Sequence, residues 1–374
     1  MGMTAHARTE IVVLGGGYAG LAAALRLAPQ HRVTLVEPRE RFVERVRLHQ
    51  VAAGQAGAVH PYEKILAGTG IRHVTGRAAR LDTAGGRVEV ETNDGQHLDL
   101  GYDRLVYALG SRTKVPALVP ATAGTGTTRV YSAETAADLA TRMAGRSGKR
   151  NGRLAVVGGG LTGIEMATEL GEAHPDCEIR LLTAGSLAAT LSEPARRHLR
   201  STLDRLGVRV QEDAPVEDPD EVDADAVLWS AAMTPTTGLA AEAGLALDEH
   251  GRVRVDAALR SVSHPEIVVA GDAGAGWRMA CATAMPTGAH AAGTILQEAR
   301  GAAAPPFRLK YVLVCMSLGR SDGLVQVLHT DDRPRDLVLT GRPAAWVKER
   351  IVSSTIGLLS YAARHPAALR TLLF

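Results

Sequence analysis

The stretch Glu10-Ile-Val-Val-Leu14 leads into Gly15-Gly16-Gly17-Tyr18-Ala19-Gly20, and Leu21-Ala-Ala-Ala-Leu-Arg-Leu-Ala28 follows. A short apolar run, a glycine-dense turn and an alanine-leucine run read as strand, tight turn and helix. The glycines fit the spacing G-x-G-x-x-G. Gly15 serves the turn, Gly17 the close approach of a pyrophosphate, and Gly20 the tight packing of helix on strand. The helix start offers free N–H groups and a positive dipole end to phosphates. The next strand, Arg32-Val-Thr-Leu-Val36, ends in Glu37, 17 residues after Gly20. An acid at that place suits a ribose 2′-hydroxyl.

The whole unit recurs 143 residues later. Arg153-Leu-Ala-Val-Val157 leads into Gly158-Gly159-Gly160-Leu-Thr-Gly163-Ile-Glu165, and Glu178-Ile-Arg-Leu-Leu182 is its second strand. Alignment of the strands puts Thr183 where Glu37 sits in the first unit. An acid there favours NADH and repels the 2′-phosphate of NADPH. Without it NADPH becomes possible, with Ser186, Arg180 and Arg196 as candidate helpers. The alternative for this second fingerprint is a relic unit that holds no nucleotide. Two units imply two dinucleotides, and the chemically sensible pair is FAD with NAD(P)H, hydride passing from nicotinamide to isoalloxazine.

Composition narrows the class. The chain has 374 residues, enough for two or three domains, with 45% hydrophobic and 22% charged residues, which is ordinary for globular proteins. A net charge of +2 makes no electrostatic case for a nucleic-acid partner. Cys177, Cys281 and Cys315 are scattered, which excludes a disulfide-stapled fold, a zinc ribbon and a C-x-x-C redox centre. The 13 histidines form no H-x-x-x-H or H-E-x-x-H pattern, so no metal is expected. Met1 to Glu10 carries no apolar signal run, and no stretch of about 18 apolar residues appears. The expectation is a cytoplasmic protein, soluble or peripheral at the inner face of a membrane.

Three further segments carry a resemblance. Tyr102-Asp-Arg-Leu-Val-Tyr-Ala108-Leu-Gly110 resembles the Y-D-x-L-V-x-A-x-G segment that closes the first flavin half of two-dinucleotide flavoproteins. Val227-Leu-Trp-Ser-Ala-Ala-Met-Thr-Pro235 resembles the W-[ST]-A-G-x-x-P segment ending their nicotinamide domain, with Ala232 in place of the usual glycine. His264-Pro-Glu-Ile-Val-Val-Ala-Gly271-Asp272 resembles their second flavin segment. In this order the motifs resemble type II NADH dehydrogenase-like and apoptosis-inducing-factor-like flavoproteins of the pyridine nucleotide oxidoreductase superfamily.

The resemblance implies an α/β fold with two Rossmann-like domains in the three-layer, glutathione-reductase-like arrangement, plus a small C-terminal α+β tail. The expected division is 8–112 for the first FAD half, 113–252 for NAD(P)H, 253–306 for the second FAD half and 307–374 for the tail. Expected FAD contacts are Gly15, Gly17, Tyr18, Ala19, Gly20, Glu37, Arg45, Ala108, Gly110, Gly271, Asp272, Pro286 and Ala289; NAD(P)H falls to Gly158, Gly160 and Gly163. Asp272 would accept from a ribityl hydroxyl; the alternative is a surface-turn aspartate. Pro286 would open a helix whose N–H groups near Ala289 and His290 face the flavin. His290 reads equally as a surface residue.

Glu165 would lie near the flavin–nicotinamide contact, or stand as a first-turn glutamate stabilised by the helix dipole. Arg45, Arg47 and His49 are dense for a solvated helix; they read as binders of an anionic or carbonyl substrate, or as a basic surface. Superfamily disulfide reductases carry a cysteine pair that residues 15–60 lack, which excludes disulfide reduction. Type II relatives show an A-Q-x-A-x-Q-like run near the quinone, whereas Pro286-Thr-Gly-Ala-His-Ala-Ala292 has no glutamine, which weakens a quinone.

In the tail, Tyr311–Arg320 and Gly323–Leu328 read as paired strands. A helix is expected from about Ala344 to Ala363, with Val347, Ile351, Leu358 and Ala362 at helical spacing. Trp346, Ile356 and Leu359 lie beside that row, and Arg342, Lys348, Arg350, Arg364 and Arg370 flank it. The helix packs on the flavin domain or on a homodimer partner, or lies on a membrane surface. Ser317–Gly323 is a candidate lining of the acceptor pocket.

The leading reading is an FAD-dependent oxidoreductase that passes hydride from NAD(P)H to flavin N5 and onward to a quinone-like or other conjugated acceptor. A second is a metabolite-specific oxidase, dehydrogenase or cyclase acting on a biosynthetic intermediate, with a vestigial nicotinamide site. A third is a redox-sensing flavoprotein that is not an enzyme.

Overall fold

Strand β1 (Glu10–Leu14) is built from β-branched and leucine side chains whose last four residues are all buried. That double-sided burial is the mark of a central parallel strand. The structure is a computed structural model and describes residues 9–57, 59–116, 129–145 and 152–365. Helix α1 (Tyr18–Leu27) follows the glycine turn, and Ala22, Ala23 and Ala24 on it have no exposed surface. Strands β2 (Arg32–Val36), β3 (Arg72–Val74) and β4 (Arg104–Tyr107) join the same sheet. Between β2 and β3 lies the short helix α2 (Leu48–Ala52). Between β3 and β4 runs an antiparallel meander of Gly76–Asp82, Arg87–Thr92 and His97–Gly101.

The chain then builds a second sheet. Its strands are β5 (Val130–Ser132), β6 (Arg153–Val157), β7 (Glu178–Leu182), β8 (Val208–Gln211) and β9 (Ala226–Trp229). They lie in the order β5-β9-β6-β7-β8, all parallel. Helices α3 (Ala136–Ala144), α4 (Leu161–Ala173) and α5 (Glu193–Arg205) cover it. Strand β10 (Ile267–Val269) returns to the first sheet and completes the parallel order β10-β4-β1-β2-β3. Ala240 and Leu245 pack with Val253, Ile267 and the meander in one core. Helix α6 (Cys281–Glu298) then lies along α1. A side chain at Gly288 would overlap the Ala19 backbone, so glycine permits this approach.

The tail is an antiparallel sheet of β11 (Leu313–Ser317), β12 (Gly323–Leu328) and β13 (Pro334–Thr340), then helix α7 (Gly341–Arg364). The pair β11–β12 was expected; β13 is an addition. Met316, Leu318 and Leu324 enter the core of the second sheet, while Leu359 and Ala362 of α7 enter the core of the first. The tail therefore ties the two Rossmann domains together. Arg370, and Met1 to Arg8 of the expected N-terminal segment, lie outside the described residues.

Candidate active site

The two glycine turns are built alike. Gly15 and Gly158 adopt φ +96° and +120°, a left-handed region that disfavours a side chain. Gly15 N–H donates to Val36 O at 2.9 Å, and Gly158 N–H to Leu182 O at 2.8 Å. A side chain at Gly20 would overlap Gly15 O, and one at Gly163 would overlap Gly158 O. Gly17 and Gly160 face open space, and each caps its helix without a side-chain bond. The first N–H groups of α1 and α4 thus point at open ground, which a pyrophosphate fits.

At the first ribose position the Glu37 carboxylate is 4% exposed and accepts Gly16 N–H at 2.8 Å. Burial works to raise its pKa, but the Arg39 hydrogen bond at 2.7 Å and the Arg39 charge outweigh that, so it sits below the ordinary range. Asp272 lies in the turn after β10. Its Oδ2 accepts from Ser111 Oγ at 2.5 Å, while its Oδ1 is buried with no hydrogen-bond partner among the described residues. An orphaned buried carboxylate oxygen is costly. A ribityl hydroxyl fits that demand, and together with the open turn at Gly17 these residues fit FAD.

A second group of charges joins three parts of the chain. Glu165, in the second turn of α4 and not in the first as expected, lies 2.9 Å from Lys348 Nζ of α7 and accepts Ser317 N–H at 3.0 Å. The Glu165 and Lys348 side chains are 13% and 14% exposed. Burial raises the Glu165 pKa, but Lys348 and His49 hold it below the ordinary value. Burial lowers the Lys348 pKa, but Glu165 holds it above. Both groups are therefore charged at neutral pH.

His49 of α2 is buried, with Nδ1 3.9 Å from Glu165 and Nε2 3.8 Å from Glu169. Burial lowers its pKa and keeps the imidazole neutral. Glu169 is wholly buried and accepts from Arg320 Nε at 2.9 Å, Ser317 Oγ at 3.1 Å and Gln55 Nε2 at 2.9 Å. Cys281, at the start of α6, keeps exposed surface, yet desolvation by the surrounding protein and the Asp272 charge push its thiol up to about 11. Cys281 also feels Arg45, Lys348 and Glu165, so the start of α6 lies within electrostatic reach of the Lys348–Glu165 pair.

Several expectations need correction. Helix α6 starts at Cys281, and Pro286 lies inside it. The N–H groups of Ala289 and His290 are therefore spent within a helix. Ala289 is fully buried and its carbonyl accepts Arg26 Nη1 at 2.7 Å. His290 packs on Phe307 at 5.2 Å, with Nε2 3.0 Å from Pro305 O, so it belongs to the core. Arg45 pairs with Glu134 at 2.7 Å and Arg47 with Glu349 at 2.6 Å; these charges join elements and do not face solvent as a free basic patch. Of the three residues at 45, 47 and 49, His49 contacts the Glu165 cluster directly.

Lys348, Glu169 and Ser111 escaped the sequence reading of the site. Lys348 had a signal: Ala344, Lys348, Val352 and Leu359 fall on one helix stripe, and the other three are buried. A charge on a buried stripe demands a partner. Among the described residues, no cluster of three or more His, Cys, Asp or Glu is placed to hold a metal ion.

Two like-built dinucleotide cradles in one chain define a two-dinucleotide redox enzyme. The model of the pyridine nucleotide-disulphide oxidoreductase family matches residues 9–288, and the chain belongs to that family. It is an FAD-dependent NAD(P)H oxidoreductase. It is 28% identical to an NADH dehydrogenase-like protein of Mycobacterium tuberculosis, over 92% of this chain and 93% of that one. Identity to a type II NADH:quinone oxidoreductase of Staphylococcus haemolyticus is 27%, over 93% and 95%. Identity to the demethylphylloquinone reductase of Synechocystis is 28%, over 76% of each. The sulfide:quinone oxidoreductase of Aquifex aeolicus shares the fold, with TM-score 0.75 at 17% identity, covering 94% of this chain and 92% of that one. Cys177, Cys281 and Cys315 are free thiols, so membership rests on the dinucleotide frame.

Proposed function

We propose that the chain reduces a quinone-type acceptor with electrons from NAD(P)H, and that the acceptor's protons are handled by Lys348 and Glu165. FAD, when bound, takes the hydride from NAD(P)H and hands the electron pair on. The chain's residues hold both nucleotides by their phosphates, exclude water and manage protons. Reduction of a quinone to a hydroquinone consumes two electrons and two protons. The Lys348 ammonium is the proton donor in this reading, and the Glu165 carboxylate holds it in place and draws in the next proton.

The observation that carries the reading is the 2.9 Å Lys348–Glu165 pair, mostly buried, which joins the last helix to the second dinucleotide fingerprint. The quinones named for the Staphylococcus and Synechocystis relatives support the same acceptor class. The second cradle keeps the geometry of the first, which disfavours a vestigial nicotinamide site. The test is anaerobic turnover of the FAD-loaded protein with NADH or NADPH and a water-soluble quinone. One hydroquinone per nucleotide oxidised is expected; no quinone reduction with either nucleotide would sink the proposal.

We place a peripheral membrane contact on the tail. No helix of the described residues is long and apolar enough to cross a membrane. Trp346 is 66% exposed on α7, which also carries exposed Ile351, Arg342 and Arg350, and Leu337, Leu339 and Val312 are exposed elsewhere on the tail. Apolar and basic groups together suit an anionic bilayer surface. Flotation with anionic vesicles should fail for Trp346→Ser combined with Leu337→Ser; equal flotation of variant and parent would remove the idea.

A further inference from the structure

The second cradle lacks its ribose acid, and the structure shows what stands there instead. Thr183 follows β7, and a side chain on Gly159 would overlap it, just as one on Gly16 would meet Glu37. Thr183 is thus the positional counterpart of Glu37, without the charge. In this fold the acid that reads the adenosine ribose stands at this strand end, and residues 184–187 form the loop that follows it.

A carboxylate reaches that loop from the neighbouring strand. Glu212 directly follows β8, the partner of β7 at the sheet edge. Thr183 N–H donates to Gln211 O, and Ala214 N–H to Thr183 O, both at 2.9 Å, so the two strand ends are fixed together. Glu212 Oε1 accepts Leu187 N–H at 2.6 Å and Arg200 Nη2 at 2.8 Å. Both bonds use one oxygen, which leaves Oε2 for a ligand; the side chain is 27% exposed. Arg180 and Arg196, the candidate helpers for NADPH, are engaged elsewhere. Arg180 donates to the Asp223 carbonyl, and Arg196 to the Leu191 carbonyl and Glu193.

We propose that Glu212 supplies, from the adjacent strand, the ribose-reading carboxylate that Thr183 does not, and that it sets a preference for NADH over NADPH. A carboxylate accepts from a 2′-hydroxyl and repels a 2′-phosphate. Arg200 is the latent phosphate-binding group, and its pairing with Glu212 keeps it occupied. The proposal rests on the second cradle being the NAD(P)H site.

The test is calorimetric titration of the FAD-loaded protein with NADH and with NADPH, for the parent and three variants. The parent should bind NADH at least about tenfold more tightly, the scale of one hydrogen bond to a charged group. Glu212→Gln keeps an acceptor for Leu187 N–H, removes the charge and frees Arg200. It should narrow or reverse the preference by about tenfold or more. Adding Arg200→Ala should abolish the gain for NADPH, and adding Thr183→Glu to Glu212→Gln should restore the preference for NADH. A parent that binds both nucleotides equally, or a Glu212→Gln ratio equal to the parent's, overturns the role of Glu212 and leaves the nicotinamide site standing. Failure of the parent to bind either nucleotide overturns both.

Discussion

Lys348 of the last helix lies 2.9 Å from Glu165 of the second dinucleotide fingerprint, so a tail residue completes a site that the Rossmann frame alone leaves with a bare buried carboxylate. The tail then braces the two Rossmann domains and, in the proposed function, supplies the proton donor.

Loss of one member of that pair should be costly. Lys348→Met strands Glu165, and removing one partner of a buried ion pair typically costs about 3–5 kcal/mol. Chemical denaturation should show a loss of that order, and the double variant Lys348→Met, Glu165→Gln should recover most of it, since no uncompensated charge remains.

The two cradles should fail separately. Gly20→Val drives a side chain into the Gly15 carbonyl, and Gly163→Val into the Gly158 carbonyl and Ser230. Gly20→Val should purify without flavin colour. Gly163→Val should keep its flavin and bind NAD(P)H at least about tenfold more weakly, a loss of about 1.4 kcal/mol. Loss of flavin from Gly163→Val with retention in Gly20→Val would reverse the assignment.

Acid stability should report Glu134. Burial raises its pKa, but Arg45 and its hydrogen bonds with Thr113 and Ser132 pull it down to about 2 from 4.5. A depressed carboxylate stabilises the fold fully above its unfolded value and loses that contribution as pH falls through the folded one. The melting temperature of Glu134→Gln should therefore lie below the parent's at pH 6, and the gap should close between pH 4.5 and 2.

His49 should act in a higher window. Its pKa is lowered by burial, against the pull of Glu165 and Glu169 and with the push of Lys348 and Arg320. Below the ordinary value of 6.5 the unfolded chain gains a proton that the folded one does not, so stability falls with pH there. His49→Gln should flatten the stability curve between about pH 6.5 and 5; an unchanged slope would show that His49 is protonated in the fold.

Much of this site was legible because glycine at fixed spacing is demanded by backbone geometry. Gly15, Gly20, Gly158 and Gly163 occupy the turn and contact positions their motif requires, and Glu37 sits against Gly16. The start of α6 was not legible. Cys281-Ala-Thr-Ala-Met285 has no capping side chain, and Pro286 mimics a helix start. What holds that turn is tertiary: Thr287 Oγ accepts Gly271 N–H at 2.9 Å, and Gly288 seats against Ala19. Strand β13 opens on Pro-Arg-Asp and carries exposed leucines, so it shows no core-facing alternation. Lys348 read as one of several flanking cations because its partner lies 183 residues away, on another domain.

In the proposed function electrons pass from NAD(P)H through the flavin to a quinone whose protons come by way of Lys348 and Glu165. Anaerobic stopped-flow absorbance on the parent and Lys348→Met resolves the two half-reactions. NADH should reduce the flavin of both proteins at rates within about threefold, while reoxidation by a water-soluble quinone should slow about 100-fold in Lys348→Met, the scale of a lost general acid. Equal reoxidation rates in the two proteins would contradict the proposed function.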